Sequence, residues 1–283
     1  MLLLPDELLC FILETLPRDN VAPAARTCRR WFACSPVHLR HKLSLRWACS
    51  SLSALQWARL QEQCPWNGDI CQLAAKEGCL EALKWARVNE CPWDEETCKW
   101  AAAKGHLEVL QWARENGCPW DLWTCAYAAS CGHLEVLQWA RTNGCDWNDE
   151  TCAYAARHGH LEALQWARAH GCLWSAWVCA CAAEGGHLEI LQWLRDNGCD
   201  WDEWTCTSAA GQGHLEVLQW SREYGCHWNE HVCSSAARSG HLQVLKWARA
   251  NGCPWDVDVC VKVARLNGHD EVVKWVGEHR RQS

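Results

Sequence analysis

A period of 27 residues constrains this chain more than any other feature. Trp66, Trp93, Trp120, Trp147, Trp174, Trp201, Trp228 and Trp255 stand 27 apart. Two cysteine series keep the same step, Cys64 to Cys253 and Cys71 to Cys260. A second tryptophan series runs from Trp85 to Trp247 and closes on Trp275 after one inserted residue. Four series in phase define eight copies of one unit, from about residue 64 to the C-terminus. A unit this short cannot bury its own apolar face. Stacked copies bury it between neighbours, so the period predicts a solenoid whose stability accumulates layer by layer.

One unit reads as two helices. In residues 93–118, Asp94 is a capping residue, and Asn67, Asp121, Asn148, Ser175, Asp202, Asn229 and Asp256 are its equivalents. Short polar side chains of this kind accept from the orphan amides of a first helical turn. Gly105 ends the first helix, and all its equivalents are glycine, as a left-handed cap requires. The second helix, HLEVLQWAR, brings Leu107, Leu110 and Trp112 or Ala113 near one face, with Glu108 in its first turn and Arg114 in its last. Ala101 and Ala102 recur as an Ala-Ala pair in seven units, which lets neighbouring helices approach closely. Residues 43–63 contain an imperfect second helix, SALQWARL, and read as a degenerate N-terminal capping repeat. The repeats proper span 64–283, and their last copy is irregular and charged, as a C-terminal cap.

The stretch AAAKGHLEVLQWARENG resembles the ankyrin repeat. Thr97 and Cys98 stand where that family has Thr-Pro, and the units are shorter than the family's by the length of its β-hairpin. The Cys-Pro-Trp turn takes the hairpin's place. The fold class expected is all-α: an ankyrin-like helical repeat solenoid lacking the usual β-hairpins. Shortened, tryptophan-rich units of this kind resemble the ankyrin-type proteins of large DNA viruses of amoebae, of pandoravirus type.

Residues 1–42 differ from the rest. They carry six Lys/Arg and four acids, a net charge of +2, which leaves -9 on the remainder of a chain of net charge -7. An acidic body repels phosphate, so no nucleic-acid partner is expected. The opening run lacks a basic leader and is broken by Pro5, Asp6 and Glu7, so it is not read as a signal peptide. No apolar stretch reaches membrane-spanning length, so no membrane association is expected. The expected setting is an intracellular, reducing one, cytoplasmic or nuclear, with the 23 cysteines as free thiols.

Leu4 and Pro5 open a helix continued by Leu8, Leu9, Ile12, Leu13 and Leu16, and Pro17 stops it. Asp19 then caps a helix running to Cys28, Arg29, Arg30 and Trp31. These marks, in this order, resemble an F-box. Pro23 departs from the pattern, inside the family's second helix. The resemblance implies docking on a Skp-type adaptor of a cullin-based ubiquitin ligase, through Leu4, Pro5, Leu8, Ile12, Leu16, Pro17 and Trp31. Residues 1–42 otherwise serve only as an apolar cap on the stack.

No metal, cofactor or catalytic site is expected. Each unit offers two cysteines and a histidine, but the spacing Cys-x6-Cys-x7-His matches no zinc motif, so the cysteines read as small buried hydrophobes. A histidine repeated at one structural position, from His106 to His269, reads as packing rather than as a general base.

Residues that break the pattern carry more information. Trp100, Trp123, Tyr127, Tyr154, Trp177 and Trp204 fall at only two unit positions, four apart and so on one face of the first helix. Glu96, Glu150, His231, Asp258, Ser208, Ser235 and Lys262 occupy the same positions elsewhere, a range that a core site would not tolerate. In the family resembled, first helices line the concave surface. The six aromatic residues are therefore expected to form an exposed target-binding patch, with Trp123 and Trp177 removable at little cost to folding. The other reading is that they fill space left by the missing hairpin. The function implied is non-enzymatic: an F-box-type substrate receptor, monomeric apart from its partners, that presents an unknown target protein to a ubiquitin ligase. The alternative is a scaffold or decoy with no ligase link.

Overall fold

The computed structural model describes residues 49–60 and 65–280. Among these it is all-helical, with 17 helices and no strand. The N-terminal segment of residues 1–42 lies outside the described residues. The described residues divide into two compact units between Trp120 and Asp121.

The first unit holds α1 (Leu52–Leu60), α2 (Gly68–Lys76), α3 (Leu80–Val88), α4 (Glu95–Ala103) and α5 (Leu107–Glu115). The second holds six helix pairs. They are α6 (Leu122–Ser130) with α7 (Leu134–Thr142), α8 (Asp149–Arg157) with α9 (Leu161–Ala169), and α10 (Ala176–Gly185) with α11 (Leu188–Asp196). The rest are α12 (Glu203–Gln212) with α13 (Leu215–Glu223), α14 (Glu230–Arg238) with α15 (Leu242–Ala250), and α16 (Val257–Leu266) with α17 (Asp270–Glu278).

Within each unit the main packing runs between first helices of successive pairs: α2 on α4 in the first unit, and α6, α8, α10, α12, α14 and α16 in sequence in the second. The alanine pairs sit in these contacts and are fully buried from Ala74 and Ala75 to Ala236 and Ala237. Preceding them is a β-branched position held by Ile70, Thr97, Thr124, Thr151, Val178, Thr205 and Val232, all fully buried. The four threonine hydroxyls find no partner among the described residues, so this position selects volume and shape rather than a hydrogen bond. On the second helices the buried line is Val109, Leu110 and Ala113 with their equivalents, while Leu107 and Trp112 are half-buried.

Five of the eight capping side chains accept from the first turn, as Asp121 does from the Trp123 amide at 3.0 Å. The others have different partners. Asp94 accepts from Gln72 Nε2 at 3.2 Å, and Ser175 donates to Asp149 at 3.1 Å. At the other end Gly186 takes φ 76° and is backed by the His187 amide on the Ala182 carbonyl. Glycine also closes α5, α7, α9, α11, α13 and α15, whereas after α3 Glu90 holds the position at φ 59°. A side chain in the left-handed region costs roughly 1–2 kcal/mol, against about 0.5–1 kcal/mol of extra chain entropy for glycine. Glu90→Gly is therefore expected to stabilise the chain by about 0.5–1 kcal/mol in denaturant titration. No change or a loss would mean that the Glu90 side chain makes a compensating contact.

Three side-chain systems join one layer to the next. Six loop tryptophans, Trp66, Trp93, Trp147, Trp174, Trp201 and Trp228, lie edge-on to the second-helix tryptophan of their own pair, as Trp174 does to Trp193 with centroids 5.8 Å apart. The loop tryptophan's face takes a guanidinium from the preceding layer: Arg168 lies 4.1 Å above Trp174 and Arg222 4.1 Å above Trp228. The same arginines donate to the loop cysteine carbonyl, Arg141 to Cys145 at 3.0 Å among them. Loop thiols donate in turn to the capping residue's carbonyl one layer back, as in Cys145 to Asp121 at 3.2 Å and Cys172 to Asn148 at 3.1 Å. Histidines form the third system. His187 Nε2 lies 3.1 Å from the Arg157 carbonyl and His214 Nε2 3.0 Å from that of Glu184, both at the end of the preceding first helix. Burial lowers the pKa of His160 and His187 below the ordinary histidine value, which keeps these rings neutral at neutral pH.

Candidate interaction surface

The structure divides the aromatic residues of the first helices into three groups. Trp123, Tyr127 and Tyr154 interlock: Trp123 meets Tyr127 at 6.4 Å and Tyr154 at 6.2 Å, and the two tyrosines stack at 6.3 Å. All three are half-buried. Trp177 and Trp204 stand out, 46% and 53% exposed. Trp100, in the first compact unit, is half-buried with the Lys76 ammonium 4.0 Å from its ring centre. The prediction that Trp123 is an exposed ring is thus corrected: it packs against the neighbouring layer. Trp177 is exposed as expected.

The layer offset explains the difference. Trp123 on α6 reaches Tyr154 on α8, one layer on and four residues further along the helix. The equivalent neighbours of Trp177 and Trp204 are Ser208 and Ser235. A serine is too short to cover an indole, so these two rings stay open. That signal lies in the sequence, but it appears only when the repeats are aligned with the offset included.

Beside Trp177 sits Arg157, at the C-terminal end of α8. Its guanidinium pairs with Glu184 at 2.7 Å, donates to Cys181 Sγ at 3.5 Å, and lies 5.7 Å from the centre of Trp177. Cys181 occupies the aromatic position of its own layer and is buried, which pushes its thiol up to about 11. Asp149, Glu150, Glu203 and Glu230 stand in the first turns of α8, α12 and α14.

In the pairs Cys125–Cys145, Cys152–Cys172 and Cys206–Cys226, the hydrogen bond to the partner thiol and then burial push the first-helix thiol up. A protonated, buried thiol is inert as a nucleophile, while the same hydrogen bond shifts the loop thiols Cys172 and Cys226 down. Among the described residues no group of three or more His, Cys, Asp or Glu side chains is placed to hold a metal ion. Nor is any helix among them long and apolar enough to cross a membrane.

A family model described as ankyrin repeats (many copies) matches residues 98–141, 152–195 and 178–220, and one described as F-box-like matches residues 1–46. Parts of this chain are thus similar to an F-box-like segment and to ankyrin repeats. Of solved structures, the crystal structure of the human ASB11 ankyrin repeat domain is similar at 14% identity and a TM-score of 0.47, covering 63% of this chain and 96% of that one. No curated protein matches. The F-box-like match takes in Leu4, Pro5, Leu8, Ile12, Leu16, Pro17 and Trp31, all of which lie outside the described residues.

Proposed function

We propose that this protein is a substrate receptor: residues 1–42 dock a Skp-type adaptor of a cullin-based ubiquitin ligase, and the repeats of residues 64–283 hold the target protein. The observation that carries this reading is an F-box-like match over residues 1–46 on the same chain as ankyrin-repeat matches between residues 98 and 220. Both families are non-catalytic interaction modules, and a segment that recruits joined to a surface that selects makes a protein-interaction adaptor. The division of labour between the two ends is the finer part of the proposal. The target-binding residues proposed are Trp100, Trp123, Tyr127, Tyr154, Trp177 and Trp204. They differ in role: the interlocked Trp123, Tyr127 and Tyr154 form a preorganised floor, and the open Trp177 and Trp204 are the anchors. Aromatic anchors in a patch that binding desolvates carry a large share of affinity.

Leu8 and Ile12 lie on the apolar stripe of the first expected helix. Leu8→Asp with Ile12→Asp is expected to abolish co-purification of a Skp-type adaptor while the circular dichroism of the repeats is kept. A well-folded wild-type chain that never retains such an adaptor would remove the ligase link and leave a binding stack alone.

A further inference from the structure

The exposed end of the first-helix face is suited to one class of partner. This inference rests on the reading of that face as the target surface and adds the chemistry of what it holds. Throughout the stack a tryptophan face is satisfied by a guanidinium from the adjoining layer, at 4.1 Å for Arg168 on Trp174 and 4.4 Å for Arg195 on Trp201. Trp204 is open by contrast, and among the described residues no cation lies against it. Trp177 has only Arg157, 5.7 Å from its ring centre, whose charge is already neutralised by Glu184.

Apart from Arg157, which Glu184 neutralises, the charged residues next to these two rings in the repeat pattern are carboxylates. Glu150 occupies the position of Trp177 and Trp204 one layer earlier, and Glu203 precedes Trp204 in the chain. Glu230 stands at the position of Glu203 one layer later. Glu203 and Glu230 are exposed and take part in no ion pair among the described residues. The first turns of α8, α10, α12 and α14 contain no lysine or arginine; the cations of these helices, Arg157 and Arg238, lie at their C-terminal ends. Open indole faces beside carboxylates that make no ion pair attract a cation by ring quadrupole and by net charge together; of the three, Glu150 accepts from Asn148 Nδ2 at 3.2 Å.

We propose that Trp177 and Trp204, with Glu150, Glu203 and Glu230, hold an arginine- or lysine-rich segment of the target protein. Consecutive layers lie about 8–10 Å apart, so cationic side chains a few residues apart in an extended segment would meet successive layers. Each cation seated on an indole strengthens binding about 2- to 30-fold.

The test uses the full chain and a short arginine–alanine–leucine repeat peptide, read by titration calorimetry. Its twin carries citrulline in place of every arginine, which keeps the shape, exchanges one NH2 group for a carbonyl oxygen and removes the charge. The arginine peptide is expected to bind at least about tenfold tighter than its twin. Trp177→Ala with Trp204→Ala should cost about tenfold or more, as should Glu150→Gln with Glu203→Gln, which should also flatten the salt dependence. Glu135→Gln with Glu189→Gln, at exposed carboxylates of the second helices, should change nothing. If both peptides bind equally and the tryptophan pair still matters, the cationic class is wrong and the surface reading stands. If the tryptophan pair does not matter, the surface reading fails as well. Equal losses from the second-helix carboxylates would reduce the effect to diffuse attraction and overturn the proposal, as would no binding of the arginine peptide.

Discussion

Leu164→Ala is expected to destabilise the second compact unit by about 3–5 kcal/mol, with the damage centred on the layers either side of α9. Leu164 is fully buried, as are its equivalents Leu83, Leu110, Leu137, Leu191, Leu218 and Leu245. Truncating it removes three carbons from a close-packed site and leaves a cavity between rigid helices. The cost has two parts, lost transfer energy and an unfilled void. Collapse is hindered because α9 packs against α8 of its own pair and touches α7 of the layer before. The spatial pattern is as diagnostic as the size. Each layer touches only its neighbours, so amide hydrogen exchange should accelerate first in α7 to α11 and last in α16 and α17. Uniform loss of protection across residues 121–280 would instead mean one cooperative core, and the layered account of stability would fail.

Much of this architecture is legible in the sequence, because a repeat states each structural decision several times. The eight polar caps, the glycine stops and the alanine pairs mark helix ends and close contacts without any knowledge of three-dimensional position. What a period cannot reveal is offset. It shows that Arg168 and Arg195 are equivalent, but not that each reaches into the next layer to cover Trp174 or Trp201. From the chain alone, the arginine in the last turn of a second helix is only a charge at the negative end of a dipole. The paired cysteines pose the same problem. Cys152 and Cys172 lie 20 residues apart, whereas the sequence draws attention to cysteines seven apart, such as Cys145 and Cys152.

Offset also decides the candidate surface. Two aromatic positions four residues apart mark a face of the first helix, and that face is where the structure puts them. Which rings stay open depends on the residue one layer on: Tyr154 covers Trp123, while serines leave Trp177 and Trp204 exposed. The two readings drawn from the sequence thus each describe part of the set. Trp123, Tyr127 and Tyr154 fill space between layers, and Trp177 and Trp204 face outward. The residues of the F-box-like segment are legible as a motif alone, since none lies among the described residues.

The histidine and glycine ladders are equivalent positions whose purpose emerges only across layers, and they support the most specific prediction. Gly186 sits at φ 76°, and a Cβ there would lie 2.6 Å from Cε1 and 2.7 Å from Nδ1 of His214. That ring is fixed in turn by its 3.0 Å hydrogen bond to the Glu184 carbonyl. Gly186→Ala therefore meets two separate penalties. The backbone term, a methyl in the left-handed region, is roughly 1–2 kcal/mol. The contact term displaces the imidazole and loses its hydrogen bond, about 1 kcal/mol or somewhat more. The single variant should lose about 2–4 kcal/mol in all. His214→Ala alone should cost about 1–2 kcal/mol, by removing the hydrogen bond and half-buried ring surface. In the double variant the new methyl has no ring to strike, so the two losses should fall short of additivity by about 1–2 kcal/mol. Denaturant titration of the four proteins measures that coupling directly. A coupling near zero would mean that the ring moves aside freely, and the histidine ladder would then be a passenger on the glycine turn rather than a clasp between layers.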